Sequence, residues 1–306
     1  MASNSGRDSG AASERLWIGR ETLDSVSLFS ADGAARVPRC IIGRKEDWEI
    51  LLPSSSDRVC SCFSSSCIPM YEAVFQEVGF RLPFSPFQVS VFDWLELCPS
   101  HLSLDSFSYL IAFEQLCQYL CLPTTKELFF VIFTIQLGLD KNGGHNWVSF
   151  RQRKALFEIF GSETTKFQKR FFLVRPRTEE AMKSVLKMVE RPHEDVGVVL
   201  ARVPRFHFCW SQDHFKHEPA MYRYGYADLT NRNKTSFARI LEFVGSFSRS
   251  EVVDEDGNPV LDSRGNQVTK PHLIDTRSLV LSKDPINLLG RSNLSLFAFC
   301  LIYGFY

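Results

Sequence analysis

His207, Cys209, His214 and His217 are the best metal-ligand candidates in this chain. Neutral imidazole and thiolate both suit zinc. On an extended segment His207 and Cys209 share a face, and His214 and His217 would meet on one helical turn. Their spacing matches no common zinc module, so structural or surface roles stand as the first reading and zinc as the second. Cys60, Cys62 and Cys67 lie in a Ser-rich run and lack the Cys-x2-Cys-x4-His-x4-Cys order of a zinc knuckle. Asp254, Asp256 and Asn258 begin like a calcium loop. Pro259 then occupies the position that requires Gly, and Gly265 the position of the closing Glu, so a turn fits better. There is no phosphate loop and no Gly-x-Ser-x-Gly elbow. Asp275-Thr276 is followed by Arg277, which breaks the aspartic-protease pattern. With 35 Asp and Glu, spacing alone singles out no carboxylate triad for a metal-dependent nuclease. No catalytic or cofactor-binding residue is assigned.

A second chemistry is suggested by the basic residues Lys166, Lys169, Arg170, Arg175 and Arg177, which interleave with Phe167, Phe171 and Phe172. Cations that meet phosphate and rings that stack on bases suit single-stranded nucleic acid. The plainer reading is a strand with core Phe on one face and solvated cations on the other. The formal net charge is zero, so no global field attracts nucleic acid. The balance is uneven, however. Residues 57–140 hold 3 Lys/Arg against 9 Asp/Glu, and residues 151–191 hold 11 against 5.

The elements that position these groups follow from patterning. Composition is that of an ordinary globular chain, 44% hydrophobic and 23% charged, with 27 Phe as the unusual feature. Residues 1–50 are Ser-, Gly- and charge-rich and read as a disordered N-terminal segment. Residues 51–67 read as a Ser-rich linker. Apolar spacing then predicts four short helices. The first covers 69–78 and is stopped by Gly79. The second starts at Ser85-Pro86 and ends at Pro99. The third is capped by Ser103 or Asp105 and stops before Pro123. The fourth follows a Thr124-to-Glu127 capping box, carries Leu128 to Ile135, and closes at Gly138. After Asn142-Gly143-Gly144, residues 147–150 and 170–174 read as strands. Residues 178–190 return to helix. Residues 206–210 alternate as a strand would, 236–247 read as helix, and 251–270 as a hairpin or mobile loop. The expected fold is α+β and mostly helical: a compact helical unit, then a small strand-containing region.

Within this pattern, Gly79-Phe80-Arg81-Leu82-Pro83, Ser85-Pro86-Phe87 and Pro99-Ser100-His101-Leu102 occur in order. They are followed by Phe113, Cys117, Tyr119 and Leu120. Trp147-Val148-Ser149-Phe150, Lys166-Phe167 and Arg170-Phe171-Phe172-Leu173-Val174 complete the series. This series resembles the plant putative gypsy-type transposon domain. The resemblance covers about a third of the chain, and Trp210 and Asp228-Leu229-Thr230 look like its continuation. It implies origin in a plant mobile element or a host-retained copy, and it carries no catalytic residues across. The domain would occupy 68–177, followed by a mixed α/β extension at 178–250. A hairpin or flexible C-terminal segment would fill 251–306.

The expected function is therefore a noncatalytic assembly or interaction domain, gag-like, with weak nucleic-acid contact and self-association. The alternatives are a degenerate transposase-like metal-dependent nuclease and a host-retained protein-interaction module. Nine Cys and an N-terminus without an apolar signal core lead us to expect reduced thiols inside the cell, in nucleus or cytoplasm. The uncharged residues 294–306 are too few to span a bilayer, so no membrane partner is expected. A longer natural C-terminus is the preferred explanation of that apolar end.

Overall fold

The computed structural model describes residues 17–30, 47–63, 66–161, 167–193, 197–247, 249–282, 284–285 and 288–289. Of these residues 36% are helical and 24% lie in strands, in eight helices and four small antiparallel sheets. The fold is an α+β mixture and not mostly helical, which corrects the sequence expectation. The reason is visible at two junctions. Helix α5 (Lys126–Ile132) runs straight into strand β3 (Phe133–Leu139), and α6 (Glu179–Val185) runs straight into β6 (Leu186–His193). The first strand residue is the helix C-cap in both cases, with φ −111° and ψ 151° at Phe133 and φ −117° and ψ 149° at Leu186. Ile135, Gly138 and Val189 therefore belong to strands, although their spacing continues the helical stripe. Likewise, residues 69–78 divide into β2 (Ile68–Tyr71) and a single helical turn, α2 (Glu72–Gln76).

The chain divides into two compact units. The first comprises residues 1–107, 134–151 and 162–223. Its three-stranded antiparallel sheet places β5 (Phe171–Pro176) between β1 (Trp48–Leu51) and β2. Phe171, Phe172, Leu173 and Val174 are all buried, as a central strand covered on both faces requires. Helix α3 (Pro86–Leu95) begins with a full capping box. The Ser85 hydroxyl accepts from the Gln88 N–H and the Gln88 amide accepts from the Ser85 N–H, each at 3.1 Å. The helix ends at Glu96 in the left-handed region (φ 53°), short of Pro99. Phe84 meets Phe80 at 5.2 Å, Phe92 at 5.9 Å and Phe206 at 5.3 Å, so the abundant Phe form a continuous core of tilted and edge-on rings. Residues 17–30 lie inside the span read as disordered, yet they contain helix α1 (Arg20–Asp24) and the fully buried Phe29. Val59 and Cys60, inside the span read as a linker, are buried as well. Strand β4 (His145–Gln152) pairs with β3, and β7 (Gly197–Pro204) pairs with β6.

The second unit comprises residues 108–133, 152–161 and 224–306. It holds most of α4 (Leu104–Tyr119), together with α5 and α7 (Asn231–Gly245). Phe129 packs on Phe113 at 5.3 Å and on Phe133 at 4.4 Å, and Tyr119 packs on Phe243 at 5.4 Å. The Thr125 hydroxyl caps α5 by accepting from the Leu128 N–H at 3.2 Å, and it accepts from the Asn233 amide of α7 at 3.1 Å. Short strands β8 (Arg249–Glu251) and β9 (Thr269–Pro271) pair, and α8 (Thr276–Leu281) follows. Between β8 and β9, Asp254 and Asp262 each accept two backbone N–H bonds, from Asp256 and Asn258 and from Arg264 and Asn266. The residues that began like a calcium loop thus form a turn. The apolar end at 294–306 lies outside the described residues.

Candidate functional site

The four metal-ligand candidates all belong to the first unit but point to different partners. His207 Nε2 lies 3.7 Å from Asp213. His217 Nε2 lies 3.6 Å from Glu96. His214 Nδ1 is 2.7 Å from the Leu95 carbonyl, and Cys209 faces the Cys62 thiol. Among the described residues no three His, Cys, Asp or Glu side chains come together as a metal-ligating group. Residues 206–210 keep the expected alternation, with Phe206, Phe208 and Trp210 buried, but form no sheet ladder.

The structure does gather imidazoles, in a set the spacing did not indicate. His101 closes the 3-10 turn Pro99–His101 and stacks on Trp210 with ring centroids 3.9 Å apart. Trp17 and Phe215 approach the same imidazole at 5.9 and 5.5 Å. His145 stacks on Phe215 at 3.7 Å, and His214 stacks on Tyr222 at 4.9 Å. Trp210 is fixed by donating its indole N–H to the Ser100 hydroxyl at 2.9 Å, and Tyr222 by donating to the His214 carbonyl at 3.0 Å. Burial pulls all three imidazoles below their ordinary range; His214 and His145 add to this at His101, and His145 adds to it at His214. His214 falls to about 4. Both ring nitrogens of the buried His101 lack a hydrogen-bond partner among the described residues. These are neutral rings packed as aromatics.

The basic stretch is partly consumed by the sheet. Arg170 pairs with Glu72, and Arg175 donates to Glu49 at 2.6 Å. Both arginines are held slightly further toward the charged form by these bonds. Lys169 and Arg177 are exposed, and Lys166 lies outside the described residues.

A surface the sequence reading missed is the ribbon of β6 and β7. Eight cross-strand pairs run from Leu186 opposite Pro204 to His193 opposite Gly197. Paired residues share a face, so one face carries Met188, Leu200, Val198 and Pro192 together with Glu190 and Arg202. Met188, Val198 and Leu200 are 54%, 59% and 65% exposed, unusual for residues of this size. Each strand pairs only with the other, leaving two outer edges without a strand among the described residues. The edges differ. Strand β6 carries Lys187, Glu190, Arg191 and Pro192, the charged and N–H-lacking residues that guard against pairing. Strand β7 reads Gly-Val-Val-Leu-Ala-Arg-Val before Pro204. Its one charge, Arg202, is met by both oxygens of Glu179 at 2.7 and 2.8 Å. The signal was present in that run, but the helical reading of 178–190 hid its partner strand.

No described helix is long and apolar enough to cross a membrane. No family model matches the chain, and neither the curated proteins nor the solved structures include a match to it.

Proposed function

We propose that the chain is a noncatalytic assembly module, as its resemblance to the plant gypsy-type transposon domain implies, and that two copies join through β7. One observation carries the reading: an apolar, exposed strand edge whose only charge is neutralised within the same copy. Unpaired edge N–H and C=O groups are a template for another strand. The guarded β6 edge directs that pairing to β7. An antiparallel two-fold pairing centred on Leu200 sets Leu200 against Leu200 and Val199 against Ala201, and it extends each ribbon to a four-stranded sheet. A second copy is favoured over nucleic acid because Arg170 and Arg175 already answer to Glu72 and Glu49.

Sedimentation of the full chain over a concentration series tests this. The expected result is a monomer–dimer equilibrium. Leu200→Lys places like charges directly opposite one another and weakens the dimer by about tenfold or more. The side chain is exposed, so folding is unaffected. A monomer at every concentration, or a dimer indifferent to Leu200→Lys, overturns the proposal. Binding to single-stranded RNA that falls with salt and with Lys169→Ala would instead favour the gag-like contact.

A further inference from the structure

Strand β7 is apolar without alternation: Val198, Val199, Leu200, Ala201 and Val203 supply both faces of the ribbon. A run of this kind belongs to a strand covered on both sides. The folded chain covers one. On that inward face Val189, Val199, Ala201 and Val203 are half-buried, with Lys187 and Arg191 exposed at the β6 margin. On the outward face Met188, Val198 and Leu200 are each more than half exposed, and Glu190, Pro192 and Arg202 are exposed beside them. A two-stranded ribbon alone is marginally stable in water, so cover on the open side adds what the ribbon lacks.

What covers that face follows from the β7 pairing proposed above, on which this inference rests. Centred on Leu200, the pairing sets Val198 of each copy against Arg202 of the other and brings two outward faces side by side. Each copy then places Leu200 and Val198 in the middle of the four-stranded surface. Met188, Glu190 and Pro192, on β6, fall along its two margins. Arg202, bound to Glu179, lies diagonal to Glu190, so the rim carries both signs of charge. An apolar centre inside a charged rim is the build of an interface. Because both signs sit on the one surface, it selects no partner of single charge, and a second copy of the same surface matches it centre to centre. We infer that two of these sheets stack face to face, Leu200 and Val198 of one pair on Leu200 and Val198 of the other, and that the chain assembles as a dimer of dimers. The inward faces are already packed by each chain's own residues, so the stacking closes at four copies.

Sedimentation velocity of the full chain, carried to concentrations above the dimerisation step, tests this. The expected result is a second association that ends at four copies. Val198→Glu separates the two contacts. The new carboxylate stands opposite Arg202 across the β7 pairing, which tolerates it, but it puts four charges at the centre of the stack. It should keep the dimer and weaken the tetramer by about tenfold or more. The side chain is exposed, so the fold is unaffected, and unchanged circular dichroism confirms it. An unmutated chain that stops at the dimer overturns the stacking and leaves the β7 pairing standing; the open face then belongs to a different protein. A monomer at every concentration sinks both. A tetramer that survives Val198→Glu, or association that continues past four copies, overturns the stacking alone.

Discussion

Glu72 is 3% exposed, and a carboxylate taken that far from water must be compensated. Arg170 provides the countercharge, the Gln76 amide donates a further bond at 3.1 Å, and the Glu72 N–H donates to the Arg170 carbonyl at 2.8 Å. Arg170→Met removes the charge and keeps much of the stem. It should destabilise the first unit by about 2 kcal/mol, below the usual cost of orphaning a buried ion because Arg170 is itself 39% exposed. Lys169→Ala, one position away and exposed, should change stability by no more than about 0.5 kcal/mol. Urea unfolding of both variants checks the pair, and equal effects would refute the assignment. A Lys169→Ala/Arg170→Ala variant that loses nucleic-acid binding is thus informative only beside a stability measurement. None of this was legible in the sequence. Arg170 and its partner are 98 positions apart, and Arg175 and Glu49 are 126 apart. The cations could be counted, but the chain gave no sign of which were already answered.

Elements whose ends carry their own chemistry were legible. Ser85-Pro86 announces α3 because a hydroxyl at the N-cap satisfies an orphan N–H, and a proline at the next position loses nothing. Both features are present in the folded chain. Ser85→Ala should therefore cost about 1 kcal/mol, read as a lower urea midpoint with unchanged slope. Ser85→Asp, which keeps the acceptor, should restore most of it, and a neutral Ser85→Ala would mean that tertiary packing alone holds the helix start. Strands 147–150 and 170–174 were equally readable from their aromatic and β-branched runs. Elements that change type without a connector were not. At Ile132-Phe133 and Val185-Leu186 no Gly, Pro or polar turn marks the switch, and the apolar spacing of a helix continues by chance into a strand. The lost β6 took the β6–β7 ribbon with it, and so the surface proposed for assembly. The imidazole set was hidden for a different reason. His101, His145 and His214 come from three distant segments, and neither type nor spacing joins them before the chain folds.

For the whole molecule, the distribution of these groups between the two units separates their response to acid. His101, His145 and His214 all belong to the first unit, as do all five Trp: Trp17, Trp48, Trp94, Trp147 and Trp210. Burial holds the three imidazoles below their usual range in the folded state. In an unfolded chain each takes up a proton near pH 6.5, as unburied imidazole does. The unfolded state therefore binds more protons as pH drops below 6.5. The imidazoles' contribution to the stability of the first unit is complete above that value and falls progressively toward pH 4, where folded His214 itself protonates. His214 alone accounts for about 3 kcal/mol over that interval. Tryptophan emission reads the first unit only, whereas helices α5 and α7 of the second contribute to the far-ultraviolet dichroism. Acid titration should thus move the emission first and leave helical dichroism from the second unit at a pH where the indoles are already exposed. His101→Phe keeps a ring on Trp210 and removes one proton acceptor, so it should move the emission midpoint to lower pH. Emission and dichroism that change together, with a midpoint unmoved by His101→Phe, would show that the carboxylates govern acid unfolding and that the imidazoles take no part in it.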